Sequence, residues 1–167
     1  MDLCLRPLQM EDEDDFSAAH AVIAAEGFEF GLWLDRATSW ESYLDELAEQ
    51  RRGRVAPGRV RATFLVAVVD NVIVGRTSIR HTLNDFLAKE GGHIGYGVLR
   101  DHRGQGYATE ILRQSLIIAR SEGVGRVLVT CDEHNAASAA VIEKCGGVYD
   151  SVVDGSDLVR KRRYWIN

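Results

Sequence analysis

The stretch VLRDHRGQGYATEIL, Val98 to Leu112, decides how the rest of the chain is read. An apolar run, HIGYGVL (His93 to Leu99), leads into it. From Tyr107 to Glu122, residues Ala108, Ile111, Leu112, Ser115, Leu116 and Ala119 recur at helical spacing. Gly104 and Gly106 therefore stand where a strand hands over to a helix. Glycine at such a junction lets backbone N–H groups and the positive end of the helix approach an anion. An ATP-type loop needs a lysine followed by Ser or Thr, which is absent. A dinucleotide loop needs a third glycine where Thr109 stands, and an early βαβ unit. The remaining pattern is R-x-x-G-x-A, matched by Arg103, Gly106 and Ala108, with Arg103 adding charge and donors. It suits a pyrophosphate; a plain glycine turn before a helix is the alternative.

The 167 residues predict one domain, 1–167, with a substantial core. No apolar run reaches the ~20 residues of a membrane span. The N-terminal MDLCLRPLQMEDEDD lacks a basic region followed by an apolar stretch, so the cytoplasm is expected. Cys4, Cys131 and Cys145 are odd in number and widely spaced, which argues against a disulfide framework, and no Cys/His spacing suits a metal. A net charge of -5 argues against a general nucleic-acid partner.

Working outward, LCLRPL (3–8) predicts a first strand, and the acids of EDEDDF (11–16) a solvated helix start. Thr38 and Glu41 form a capping-box pattern for a second helix. Between them GFEFGLWLD (27–35) is an aromatic loop that lines something or packs down. RRGRVAPGRVR (51–61) reads as a basic, flexible connection. TFLVAVV (63–69) and VIVGRTSIRH (72–81) predict a hairpin turning at Asp70-Asn71. RVLVTC (126–131) is a short buried strand; 135–144 is a helix stopped by Gly146-Gly147; 148–153 and 158–166 close the chain as strands. The order β-α-α-β-β-β-α-β-α-β-β predicts an α/β (mixed α+β) fold, a mixed sheet with helices packed on it.

The Arg103/Gly106/Ala108 loop, the following VLVTCDEHNAASAAVIEKCGG (127–147) and this element order together resemble the GNAT superfamily of acetyl-CoA-dependent N-acyltransferases. SIRHTLN, GGHIGYGV and the ending RRYWI further resemble a bacterial subgroup known only as predicted acetyltransferases, which names no substrate. The resemblance implies a mostly antiparallel central sheet with splayed central strands, and acetyl-CoA as cosubstrate without a metal. It implies cofactor contacts at Val98, Leu99, Arg100, Arg103, Gly104, Gln105, Gly106, Tyr107, Ala108, Thr109, Asn135 and Ser138, with Asn135 on the pantetheine arm and N–H groups near Tyr96 to Val98 facing the thioester oxygen. The acceptor, a primary amine on a small molecule or peptide, must lose a proton, since a lysine-like ammonium has a pKa near ~10.4.

Two positions depart from the family pattern. The tyrosine that often protonates the leaving thiolate is replaced by Ile142, for which Tyr149 or Tyr164 could substitute. His93 stands where many members carry a glutamate base, and its intrinsic pKa suits that work; a strand-end histidine held by backbone is the alternative. Arg80, His81 and Asn84 form a polar group that could face the acceptor, or a solvated strand end. RKRR (160–163) splits over two strand faces and reads as a solvated edge or a homodimer contact rather than a nucleic-acid patch. A rival reading is a non-catalytic acyl-CoA-binding or sensing module, which Ile142 keeps open; another is a nucleotide-phosphate protein using the same loop.

Overall fold

The computed structural model describes residues 2–167. Seven strands form one sheet in the order β1-β2-β3-β4-β5-β7-β6. They are β1 (Cys4–Arg6), β2 (Ala62–Val69), β3 (Val72–Arg80), β4 (Ile94–Val98), β5 (Val127–Asp132), β6 (Val148–Asp154) and β7 (Arg160–Ile166). Helices α1 (Glu13–Ala24) and α2 (Trp40–Arg51) cover one face, and α3 (Tyr107–Ser121) and α4 (Ala136–Lys144) the other. All neighbours are antiparallel except β4 and β5, which run parallel and meet at one register pair, Ile94↔Val129. The mixed, mostly antiparallel sheet with a central splay thus has the expected architecture.

The continuously apolar β2 follows from cover on both faces. Phe64, Val66 and Val68 pack under α1 and α2 with Phe16, Phe30, Trp40 and Tyr43. Leu65 and Ala67 point to the α3 side. Fully burying a side chain such as Phe16 contributes about 1.5–3 kcal/mol. The β2–β3 turn places Asp70 and Asn71 at φ 49° and 64°, the left-handed pair a two-residue hairpin needs.

Several local expectations shift. The second helix is capped by Ser39, whose Oγ accepts the Ser42 N–H at 3.0 Å, one residue beyond the Thr38 of the sequence pattern. Asp12 is not a solvated helix-start acid: it is buried and takes two bonds from the Arg6 guanidinium, 2.7 and 2.9 Å. Those bonds hold its carboxyl below the usual range. A π-helical turn, Leu87–Gly91, precedes β4, and Glu90 within it accepts from the Ser156 N–H and hydroxyl, tying it to the β6–β7 turn. β7 is no edge strand; it lies between β5 and β6. Its Arg160, Lys161 and Arg163 all pair with acids of the chain.

Candidate functional site

The splay opens the sheet. Beyond Ile94↔Val129 the strands part, so the edge of β4 has no strand beside it. The two-residue period of a strand turns the N–H and C=O groups of Tyr96 and Val98 toward that open edge, as it does those of Ile94. A cavity of ≈ 610 Å³ lies along it. Tyr96, Gly97 and Val98 form one wall, Asp132, Asn135, Ala137, Ser138 and Val141 the opposite wall. The mouth carries Glu26, Phe28, Arg103, Gly104 and Gly106.

The glycine loop closes the cavity at the start of α3. Gly104 and Gly106 have φ 77° and 82°, a region where side chains are strained, and a Cβ on Gly104 would meet nothing within 4 Å. Gly106 caps α3 without a side chain. The first N–H groups of a helix lack intrahelical acceptors, and none of those from Gly106 to Thr109 has an acceptor elsewhere among the described residues. Arg103 donates through Nε to Val98 O at 3.0 Å and through Nη2 to Glu26 at 2.7 Å. Arg100 holds the other Glu26 oxygen at 3.0 Å. The carboxylate of Glu26 thus rests on both loop arginines, which hold it below its ordinary value, Arg103 most strongly.

Of the residues expected to contact the cofactor, Val98, Arg103, Gly104, Gly106, Tyr107, Ala108, Thr109, Asn135 and Ser138 line this one cavity. Leu99, Arg100 and Gln105 do not; Leu99 and Arg100 line a shallower groove beside α1. Asn135 is also a helix cap, its Oδ1 accepting the Ser138 N–H at 3.0 Å. Asn135→Ala should cost about 1 kcal/mol of stability through the lost cap. Asn135→Ser keeps a cap and removes the amide. It should hold the melting temperature while raising the KM for acetyl-CoA several-fold more than that for the acceptor. An unchanged acetyl-CoA KM would leave Asn135 a cap only.

The expected catalytic pair lies elsewhere. His93 is 8% exposed at the closed end of the splay. Its backbone N–H donates to Leu128 O and its Nδ1 accepts the Leu128 N–H, 2.7 and 2.9 Å, so the ring clamps β4 to β5. The lone pair on Nδ1 is engaged, and the cavity wall does not include this residue. Burial, reinforced by Arg80, lowers its pKa. Because the unfolded chain binds this proton more readily, folding stability should fall as pH drops from ~6.5 toward the lower folded value. His93→Ala should orphan the Leu128 N–H, cost about 1–3 kcal/mol and flatten that pH dependence in melts from pH 8 to 5. An unchanged melt with a lost acidic limb in the rate profile would instead make His93 the base.

Tyr164 is 1% exposed in the core, its hydroxyl 3.3 Å from Glu143, and Ile142 is fully buried beside it. His81 Nε2 lies 2.9 Å from Thr63 Oγ1, and Asn84 bonds the Leu87 N–H and Gly58 O. Both serve the local chain. Arg80 differs, with one bond, to Gly91 O at 3.3 Å. The residue that sequence reasoning missed is Tyr96. It lines the cavity, and its hydroxyl is 3.0 Å from Ser138 Oγ. Burial raises its pKa to about 12, so it stays protonated. Only the strand alternation of GYGV, which sends Tyr96 to the α4 face and Gly95 and Gly97 to the other, could have singled it out.

The sequence matches the Acetyltransferase (GNAT) domain family over residues 2–148. No curated protein matches the chain. Among solved structures, the YncA protein of Salmonella typhimurium with its cofactor acetyl-CoA aligns at TM-score 0.66 and 18% identity, over 100% of this chain and 94% of that one. The microcin C7 self-immunity acetyltransferase MccE, in complex with acetyl-CoA and AMP, aligns at TM-score 0.68 and 16% identity, over 98% and 91%. The ribosomal-protein-S5-alanine acetyltransferase of Vibrio fischeri aligns at TM-score 0.74 and 15% identity, over 99% and 92%. With a splayed sheet, a glycine loop whose helix-start N–H groups have no acceptor among the described residues, and a family match over residues 2–148, this chain belongs to the GNAT acetyltransferase family.

Proposed function

We propose that the protein transfers acetyl to a primary amine by direct attack. The observation that supports this most is the cavity that joins the glycine loop to the unpaired edge of β4. The helix-start N–H groups of Gly106 to Thr109 and the Arg103 guanidinium would hold the pyrophosphate, with Glu26 giving way on Arg103. Asn135, Ser138 and the edge of β4 would hold the pantetheine arm. Acetyl-CoA supplies an acetyl group activated as a thioester.

The chain's own contribution is placement and polarity. The edge N–H groups of Tyr96 and Val98 are preplaced donors for negative charge developing on the attacked carbonyl oxygen. The acceptor ammonium first gives a proton to water; as the neutral amine nitrogen then bonds to the carbonyl carbon, the carbon–sulfur bond breaks, and the nitrogen's surplus proton leaves to water or to the departing sulfur. A thiol pKa near ~8.5 lets sulfur leave unprotonated. With its pKa near 12, Tyr96 acts on that sulfur as a hydrogen-bond donor, held by Ser138, rather than by full proton transfer. Of the three residues expected on the acceptor side, Arg80 is the one with donors to spare. No helix of the described residues is long and apolar enough to cross a membrane.

Free-thiol release from acetyl-CoA, measured against a panel of polyamines, aminoglycosides, amino acids and peptides, tests this reading. Amine-dependent release with one acetylated product is the expected result. Tight acetyl-CoA binding with no amine-dependent release would favour the acyl-CoA sensor.

A further inference from the structure

Two arginines of β3 lie on the α1/α2 side of the sheet, and they are bonded very differently. Arg76 is 3% exposed and donates to three carbonyls, Phe30 O, Gly95 O and Glu29 O, at 2.9, 3.0 and 2.6 Å. It ties the aromatic loop to the sheet, with the Phe28 ring 4.4 Å from its guanidinium carbon. Arg80 is half-buried and makes the single 3.3 Å bond from Nη1 to Gly91 O. It forms no ion pair among the described residues, and its Nε and Nη2 are unbonded yet reachable by solvent.

Its position gives those free donors meaning. A Cβ placed on Gly95 would lie 3.0 Å from Arg80 Nη1, so the guanidinium lies flat against β4 at Gly95. Gly95 is the first residue past the last β4–β5 pair, so Arg80 sits at the apex of the splay. The open β4 edge begins one residue on, at Tyr96. At ~3.3 Å per strand residue, Gly95 and Gly97 are about 7 Å apart. That spans a guanidinium–carboxylate contact plus the few bonds from a carboxylate to an α-amine. No carboxylate among the described residues pairs with Arg80. Arg76 is a cation, and the His93 ring faces Arg80 with its neutral form favoured. Glu90 accepts from Ser156, and Glu29 accepts the Trp33 N–H and sets its charge against Arg76 rather than Arg80. Burial without a partner lowers the Arg80 pKa to about 10.

We propose that the acceptor is a small amino acid-like molecule, an amine with a carboxylate a few bonds away, and that the free Nε and Nη2 edge of Arg80 binds that carboxylate at the apex of the splay. The guanidinium fork matches a carboxylate in two parallel bonds, and Arg80 has no carboxylate partner of its own among the described residues. The inference rests on acetyl transfer to an amine and narrows its acceptor.

The test compares kcat/KM for free L-amino acids with that for their carboxamides, in the wild-type chain and in Arg80→Gln. The ratio of the two ratios cancels the different basicity of the paired amines. It should favour the free acid in the wild type by about 10- to 100-fold, the worth of a charge-assisted pair. The affinity for acetyl-CoA should be the same in both proteins. Should Arg80→Gln not fold, the wild type alone decides: propanoate should compete with the acceptor amine and not with acetyl-CoA, and propanamide should do neither. Acetylation of amines with equal ratios in both proteins, or no competition by propanoate, overturns the Arg80 site and leaves acetyl transfer standing. Acetyl-CoA binding without acetylation of any amine overturns acetyl transfer itself, and this proposal with it.

Discussion

Gly106→Val should weaken acetyl-CoA binding by roughly 100-fold or more, about 2.7 kcal/mol, in a protein that still folds. Gly106 has φ 82°, a conformation a β-branched residue adopts only under strain. Relaxing that strain rotates the peptide planes on either side, and with them the N–H groups of Gly106 and Tyr107. Those groups open the series, Gly106 to Thr109, that has no acceptor among the described residues. The new side chain would also stand at the cavity mouth that Gly106 helps to line. The core is remote from the change, because α3 packs through Ile111, Leu112, Ser115, Leu116 and Ala119 farther along. Calorimetric titration of the folded variant with acetyl-CoA reads the effect directly. An affinity within threefold of the wild type would make the loop a turn and nothing more.

Tyr96→Phe should lower kcat by about 10²-fold and leave the KM for acetyl-CoA within a few-fold, the size of effect seen when one preplaced donor is removed from a transition state. The substitution keeps the ring that packs against the core and removes the hydroxyl held 3.0 Å from Ser138 Oγ. Removing the hydroxyl should act on the departing sulfur, so the loss should be largest for poor leaving groups. Acetyl thioesters of thiols with graded pKa values measure that slope. Ser138→Ala should show a smaller loss of the same kind, because it frees the hydroxyl without deleting it. A Tyr96→Phe enzyme with wild-type kcat would return the acid's role to solvent.

Elements with a local cause were legible from the residues. The Asp70-Asn71 turn, the period of α3 and the Gly146-Gly147 stop are each set within a few neighbours, and each lies where expected. The glycine loop was legible for the same reason: its left-handed glycines and the helix that follows are contiguous in the chain. The α2 cap moved from Thr38 to Ser39 because two adjacent hydroxyl residues compete for one role, and the path of the incoming chain chooses between them.

The chemistry of individual side chains was settled by contacts across the sequence. His93 is a strand-end histidine in any linear reading. It becomes a clamp because β5, some thirty-five residues later, brings the Leu128 N–H to its ring. Tyr96 and Ser138 meet only because α4 packs over the splay, and Tyr164 is enclosed by that same packing. Arg76 and Arg80 are four residues apart on one strand and look alike in sequence. One is saturated by carbonyls of a loop that folds over it from residues 29 and 30; the other is left with free donors at the point where two strands part. The sequence by itself determined the order of elements, the glycine loop and the family, since backbone conformation and hydrophobic period are local properties. Only the tertiary structure decided which polar side chains are satisfied and which remain available, because a hydrogen-bond partner is a matter of proximity in space.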